Sequence, residues 1–298
     1  IPIDNDLVVD ADSDIFELSN GCICCTLNGE LVETLRDLVE GEYTFDHLII
    51  ETTGVAEPDG VAAAFVSDPA VQRYFKLDAT ICMVDAHFAA ETLLEREEAK
   101  RQVTFADHMV INKASEVSAE SLQALQAQLR QANPLSTLEL CDQGQLKKHV
   151  LQLQAYDEHR VQELLTKKHG RHHEHDHHHD HGHVCNEHCD HDHSHSSDIV
   201  TQSFVLTEPL DVLKFRHWLN VLLMIQGKHL YRVKGIIDFQ YQDQKTVLQS
   251  VKQMCVFSAG AAWEVGQERV SRIVFIGKHL RRDILQKQLN HCLAQPVS

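Results

Sequence analysis

Apolar and polar positions follow two distinct patterns along the first half of the chain. Continuous apolar runs that end in polar residues predict buried parallel strands, at residues 46–51, 78–85, 106–113 and 136–140. Apolar positions three or four residues apart predict helices between them, at residues 30–39, 89–103 and 118–131, and two further helices open at Glu57-Pro58 and Asp68-Pro69. This alternation predicts an α/β domain with a mostly parallel sheet.

The pattern changes after residue 198. The predicted elements are a strand, a helix, three strands and a helix, at residues 199–206, 209–225, 230–239, 247–257, 271–276 and 281–292. This order predicts a smaller α+β domain with an antiparallel sheet that is covered on one face. Arg232 and Lys234 share one face of a strand, and we expect that face to meet the first domain, an acidic client or solvent.

The two halves are joined by a segment that cannot form a core. Of the 22 histidines, 13 lie between His169 and His195, where they are mixed with acidic residues. Such a composition predicts a disordered linker. We therefore expect a first domain over residues 1–168, a linker over residues 169–198 and a second domain over residues 199–298.

Three of the nine cysteines, Cys22, Cys24 and Cys25, fall within four residues. Thiolates are soft ligands that suit zinc or Cu(I), and zinc usually takes four donors in a tetrahedron. Because the C-x-C-C stretch supplies three donors, a fourth comes from elsewhere in the fold, from water or from a client. This predicts a site that takes up and releases metal, and a buried thiol cluster or a redox pair is the alternative.

The histidine-rich segment predicts weaker, exchangeable metal sites for zinc, nickel or cobalt. The candidate auxiliary ligands are His87, His172, His173, His175, His177, His178, His179, His181, His183, Cys185 and Cys189. A solvated linker without metal is the alternative interpretation of this segment, and a hydrogen-bonded loop residue is the alternative for His87.

Charge and cysteine usage exclude several classes of protein. The formal net charge is −17 and no basic stripe interrupts it, so we expect neither nucleic acid nor an anionic membrane as a partner. No apolar stretch approaches the length of a transmembrane helix, and no signal peptide is visible. The unevenly spaced cysteines do not form a disulfide framework, which predicts a cytoplasmic protein.

Two of the predicted strands end in residues that suit a nucleotide. Glu51 and Gly54 follow one strand in an E-x-x-G pattern, in which the acid helps to hold Mg²⁺ and the glycine amide approaches a phosphate. Asn112-Lys113 ends another strand and resembles the start of the guanine-reading motif N-K-x-D. The fourth position is Ser115, whose hydroxyl cannot replace a charged acceptor, so we expect a weakened preference for guanine.

Five features of the sequence occur together: E-x-x-G, Asn112-Lys113, the C-x-C-C loop, the histidine-rich linker, and the R-V-K-G, W and F-I-G pattern near the carboxyl terminus. In this combination the chain resembles the CobW-type metallochaperone GTPases. The resemblance implies a mostly parallel P-loop-GTPase-type sheet and a smaller α+β carboxyl-terminal domain. It also implies a GTPase that uses GTP with Mg²⁺ to deliver Zn²⁺, or alternatively Co²⁺ or Ni²⁺, from Cys22, Cys24 and Cys25 to a client protein. A homodimer is left open, and a nucleotide-independent metal buffer is the rival interpretation.

The chain departs from the family at its amino end. The family begins with G-x-x-G-x-G-K-T, whose amides and lysine hold the phosphates, and no such stretch occurs in these 298 residues. Because the sequence begins at Ile1 and matches the family only beyond that loop, we expect an amino-terminal segment to be missing. We also expect its absence to leave an unpaired sheet edge and an exposed apolar face.

Overall fold

The computed structural model describes residues 27–41, 44–52, 58–146, 150–166, 198–251 and 253–295. These residues form two sheets. One has three parallel strands, which lie side by side in chain order. The other has five antiparallel strands, and if these are counted along the chain they lie in the order 1-5-2-3-4. The predicted fold class, an α/β region with a parallel sheet followed by a carboxyl-terminal region with a separate antiparallel sheet, is confirmed.

The elements of the first half alternate between helices and strands. In chain order they are α1 (Leu27–Glu40), α2 (Pro58–Ser67), α3 (Pro69–Tyr74), β1 (Ile81–Asp85), α4 (Ala89–Glu95), α5 (Glu97–Phe105), β2 (His108–Asn112), a 3-10 turn (Ala114–Glu116), α6 (Ala119–Ala132), β3 (Thr137–Leu140) and α7 (Glu158–Thr166). β2 is central and buried, and its side chains pack with those of α6 in one apolar cluster.

The second half contains five strands and two helices. They are β4 (Ile199–Leu206), α8 (Val212–Gln226), β5 (Leu230–Ile237), β6 (Gln244–Val251), β7 (Met254–Ala262), β8 (Ser271–Lys278) and α9 (Arg282–His291). A single apolar cluster joins α8 and α9 to the five-stranded sheet. No helix among the residues that the structure describes is long and apolar enough to cross a membrane.

Capping residues explain where several helices begin. Asp68 accepts hydrogen bonds from the backbone of Ala70 and Val71 at the start of α3, and the Ser118 hydroxyl accepts one from Ser121 N at the start of α6. Each cap satisfies amide donors that the first turn of a helix leaves unpaired. Both helix starts agree with the sequence prediction.

The strand predicted over residues 46–51 is wrong. Residues 44–52 contain no strand, and the Ile49 side chain is 75% exposed. An apolar run forms a strand only where a neighbouring strand takes its backbone hydrogen bonds. Within the described ranges β1 pairs with β2 alone, and Ile81 and Met83 of β1 are 38% and 57% exposed.

Two other predicted elements are each divided in two. The helix predicted over residues 89–103 is interrupted at Arg96, whose extended backbone ends α4 and begins α5. Glu97 and Glu98 then stand in the first turn of α5, where negative charge favours a new helix start. The strand predicted over residues 247–257 is a hairpin of β6 and β7, with Val251 paired to Met254. Apolar residues lie on both sides of the polar residues 252–253, which made the two strands resemble one.

Arg232 and Lys234 on β5 meet the first half of the chain, and the alternatives of an acidic client or solvent are wrong. Both side chains are 1% exposed. Arg232 Nη2 and Lys234 Nζ donate to Asp107 Oδ1 at 2.6 and 2.7 Å, and the backbone of Thr80 donates to Asp107 Oδ2 at 3.0 Å. The Arg232 guanidinium also lies 4.7 Å from the Phe105 ring centroid. One buried carboxylate therefore joins the two sheets.

The charges of this cluster perturb the pKa values of its members. Burial by itself raises the pKa of Asp107, but the charges of Arg232 and Lys234 outweigh it and hold the pKa below its ordinary value. Burial and the Arg232 charge lower the pKa of Lys234 to about 8, although Asp107 acts in the opposite direction. Two cations share one carboxylate, and the lysine is the cation that can lose its proton.

Candidate functional site

The three parallel strands end side by side. Asp85, the last residue of β1, is in register with Asn112, the last residue of β2. Cys141 directly follows β3, and its backbone N–H donates to Ile111 O at 2.9 Å. The carboxyl ends of parallel strands are where α/β proteins bind ligands, because the loops that follow the strands meet there. This edge of the sheet is the candidate site.

Asn112 is held with its amide oxygen facing the loop after β3. The Cys141 thiol and the Gly144 backbone N–H both donate to Asn112 Oδ1, at 3.4 and 3.2 Å. Since both contacts use the oxygen, they fix the orientation of the amide and direct its nitrogen, a donor, elsewhere.

Lys113 is held by a carboxylate from the neighbouring strand. Its backbone is left-handed, with φ 59°, and its Nζ donates to Asp85 Oδ2 at 2.6 Å. The hydrogen bond from Lys113 holds the pKa of Asp85 below its ordinary value, and the same bond raises the pKa of Lys113. The other oxygen of Asp85 accepts from His87 N at 2.9 Å, so Asp85 fixes both loops.

Ser115 is linked to the loop after β3. Its backbone N–H and its hydroxyl both donate to Asp142 Oδ1, each at 2.9 Å. Ser115 and Asp142 are exposed. In N-K-x-D the position of Ser115 is an aspartate. Here the carboxylate of Asp142 lies within hydrogen-bond distance of that position.

His87 is a hydrogen-bonded loop residue. Its Nε2 lies 3.0 Å from Glu116 Oε2, in the loop after β2. Within the described part of the chain, no group of three or more His, Cys, Asp or Glu side chains is arranged to hold a metal ion. His87 therefore has one neighbouring donor, Glu116, and its predicted auxiliary role in metal binding stays a prediction.

The remaining predicted site residues are exposed or lie outside the described ranges. Glu51 is exposed, and its role in holding Mg²⁺ stays a prediction. The predicted residues outside the described ranges are Gly54, Cys22, Cys24, Cys25, Cys185, Cys189, His172, His173, His175, His177, His178, His179, His181 and His183. Their roles stay predictions.

The sequence analysis missed three residues that build the edge: Asp85, Cys141 and Gly144. The available signal was that all three follow or end strands predicted to be parallel neighbours of β2. Because the carboxyl ends of parallel strands meet at one edge of a sheet, this signal places all three residues beside Asn112 and Lys113.

A parallel sheet with an oriented Asn-Lys pair at its carboxyl edge defines a nucleotide-binding class of α/β protein. The family model for the CobW/HypB/UreG nucleotide-binding domain matches residues 1–138, and the model for the cobalamin synthesis protein CobW carboxyl-terminal domain matches residues 199–293. The chain belongs to the CobW-type GTPase family.

Several characterised proteins are similar to this chain. The zinc chaperone YjiA of Escherichia coli (strain K12) is 27% identical, and the match covers 94% of this chain and 82% of YjiA. The zinc chaperone CobW of a Sinorhizobium species is 26% identical over 90% of this chain and 77% of the relative. The zinc-regulated GTPase metalloprotein activator 1 of Schizosaccharomyces pombe is 27% identical over 74% of this chain and 57% of the relative.

The fold is that of a solved family member. The crystal structure of Zn(II)-bound YjiA GTPase from E. coli matches with a TM-score of 0.67 and 21% identity, covering 91% of this chain and 78% of that one. This likeness supports the arrangement of the two sheets.

Proposed function

We propose that this protein is a GTP-dependent metallochaperone, which binds zinc through Cys22, Cys24 and Cys25 and passes it to a client protein. Support comes from the family, from relatives named zinc chaperones, and from the C-x-C-C stretch in the sequence. Cobalt and nickel are alternative cargoes, because the same donors also bind them. Among the described residues, Cys82, Cys141, Cys255 and Cys292 are free thiols, which suits a cytoplasmic location.

The observation that carries the nucleotide part of the proposal is the orientation of Asn112 and Lys113. With its amide oxygen occupied by Cys141 and Gly144, Asn112 presents an N–H donor, which suits an acceptor such as guanine N7. Lys113, held by Asp85, lies beside it with a positive charge and a long aliphatic stem. These side chains would position the base of GTP at the carboxyl edge of β2.

The cysteines would carry the cargo. Zinc binds thiolates, so each of Cys22, Cys24 and Cys25 loses its proton on binding and metal affinity falls as pH falls. In the proposed cycle, GTP binding orders the cysteine loop around zinc and hydrolysis releases the metal to the client, an order–disorder switch of the kind that GTPases use. Glu51 and Gly54 are the candidates to hold Mg²⁺ and to approach a phosphate of the nucleotide.

The test is an equilibrium titration of fluorescently labelled GDP into the parent protein and an Asn112→Ala variant. The amide donates to the base and anchors the loop, so the substitution should weaken binding by about tenfold or more. Asn220→Ala, the same change on the exposed surface of α8, is the matched control and should bind as the parent does. Equal affinities of the parent and Asn112→Ala would contradict nucleotide binding at this edge.

The second candidate function is a nucleotide-independent metal buffer. The observation that favours it is the concentration of 13 histidines between His169 and His195. A buffer would bind several metal equivalents weakly, and its affinity would not change with GTP. Measurement of zinc affinity with and without GTP separates the two functions, because only the metallochaperone couples them.

A further inference from the structure

The base-reading edge has an acidic residue that N-K-x-D does not contain. Asp142 Oδ1 accepts hydrogen bonds from both the backbone N–H and the hydroxyl of Ser115, each at 2.9 Å. Ser115 occupies the position of the aspartate in N-K-x-D. The carboxylate missing from residue 115 is therefore replaced by one that lies within a hydrogen bond of it.

Asp142 begins a tight turn that is closed by a backbone hydrogen bond. The Gln145 backbone donates to Asp142 O at 3.0 Å, and the two residues between them, Gln143 and Gly144, have φ values of 51° and 71°. Two consecutive left-handed residues are typical of the tightest two-residue turns. A turn closed by its own hydrogen bond restricts the position of the Asp142 carboxylate, as a group that recognises a base requires.

The same turn is fixed to Asn112. Gly144 N and the Cys141 thiol donate to Asn112 Oδ1, while Asp142, between these two residues, takes the two hydrogen bonds from Ser115. The loop after β3 thus binds both ends of the Asn112–Ser115 segment. The amide that suits guanine N7 and the carboxylate of Asp142 belong to one hydrogen-bonded unit.

A carboxylate at this place distinguishes guanine from adenine. The N1 and N2 groups of guanine are neighbouring donors, and a carboxylate, which has two oxygens and only accepts, can take both. Adenine has no donor at N1. Charge-assisted hydrogen bonds are about twice as strong as neutral ones, so the carboxylate favours guanine.

We propose that Asp142 supplies the carboxylate that selects the guanine base, and that Ser115 positions it. The proposal rests on the proposed binding of GTP at this edge. It reverses the expectation from the sequence alone, in which Ser115 weakens the preference for guanine.

The test is a competition titration in which GDP, ADP and xanthosine diphosphate displace a fluorescent GDP from the parent and from Asp142→Asn. An amide presents a donor where the carboxylate had only acceptors, and xanthine has a carbonyl at C2 where guanine has its amino group. Asp142→Asn should lower GDP affinity by about tenfold or more and raise that for xanthosine diphosphate. Asp37→Asn, the same change at an exposed residue of α1, is the control and should match the parent.

A second variant tests the role of Asp142 without a substitution in the turn that contains it. Ser115→Asp would place a second carboxylate against Asp142, so GDP affinity should fall severalfold by like-charge repulsion. If residue 115 alone lacked the reading group, the same substitution would raise the GDP-to-ADP affinity ratio, and that result would overturn the inference.

The outcomes separate this inference from the proposed function. Parent protein that binds GDP, together with an Asp142→Asn variant whose affinities for all three nucleotides are unchanged, overturns the role of Asp142 alone. Parent protein that binds no nucleotide contradicts the proposed GTP binding, and the inference falls with it.

Discussion

The two ends of strand β2 carry the same kind of contact in opposite surroundings. Just before the strand, Asp107 accepts a hydrogen bond from Lys234 at 2.7 Å, and both side chains are at least 98% buried. Just after it, Lys113 donates to Asp85 at 2.6 Å, and these side chains are 43% and 33% exposed. Nearly equal distances have different consequences, because water screens the second pair and not the first.

The two ends of β2 therefore have different roles. A buried ion pair contributes little beyond a well-packed apolar alternative, but breaking it is costly because a charge is left without a partner. The amino end of β2 therefore holds the two sheets together. The carboxyl end contributes little to stability and leaves Asn112 and Lys113 accessible to a ligand.

The largest effect is expected from Asp107→Ala. It leaves Arg232 and Lys234 buried without their carboxylate, so the free energy of unfolding should fall by about 3–5 kcal/mol. Asp85→Ala removes the carboxylate of the exposed pair and is the matched control, for which we expect a much smaller loss. Urea denaturation at neutral pH measures both, and similar losses would show that burial does not separate the two ends.

The next effect distinguishes the two cations that share Asp107. Arg232→Met removes the cation that stays charged and stacks on Phe105, and should cost about 1–3 kcal/mol. Lys234→Met leaves Asp107 paired with Arg232, so its cost should be below about 1 kcal/mol, or stability should rise. The same denaturation experiment applies, and a larger cost for Lys234→Met would show that the lysine is the main partner.

A smaller effect is expected in the pH dependence. The pKa of Lys234 in the folded protein, about 8, lies below its ordinary value, so the unfolded chain binds more protons between about pH 8 and 10.5. The contribution of Lys234 to stability therefore rises with pH across this window. The difference in unfolding free energy between the parent and Lys234→Met should change in favour of the parent from pH 7.5 to 9.5. If the difference in unfolding free energy between the two proteins did not change with pH, the lowered pKa of Lys234 would be contradicted.

The smallest effect on stability is expected at the exposed end. Lys113→Met removes the partner of Asp85, yet the melting temperature should stay within the scatter of the measurement, because the pair is screened by water. Affinity for labelled GDP should fall, since the charge beside the base is lost. A loss of stability without any change in nucleotide binding would show that the carboxyl end of β2 stabilises the fold and does not bind the nucleotide.

The sequence was sufficient for features that local patterns determine. The apolar runs predict β1, β2 and β3, and the polar end of β2 predicts that Asn112 and Lys113 lie at the edge of the sheet. The caps at Asp68 and Ser118 were also readable, because a capping side chain acts within three residues of its helix.

Features that depend on distant partners were not readable. The run at residues 46–51 has the pattern of a buried strand, but pattern alone does not provide the neighbour that a strand requires. Period-two spacing placed Arg232 and Lys234 on one face, whereas the burial of that face depends on how the two sheets pack. The approach of Asp142 to Ser115 depends on two left-handed residues in the intervening turn, for which Gln143 gives no sequence signal.

The central claim is that Cys22, Cys24 and Cys25 hold the metal that this chain delivers. Zinc competition against a chromophoric chelator, under reducing conditions, tests it on three proteins: the parent, a variant with all three cysteines changed to serine, and a deletion of residues 169–195. The deletion should remove most bound equivalents and keep the tightest site, because three thiolates on one short stretch of chain chelate zinc strongly. The serine variant should lose the tightest site and keep the weak ones. A serine variant that retained the tightest site would contradict the account and favour the histidine-rich buffer.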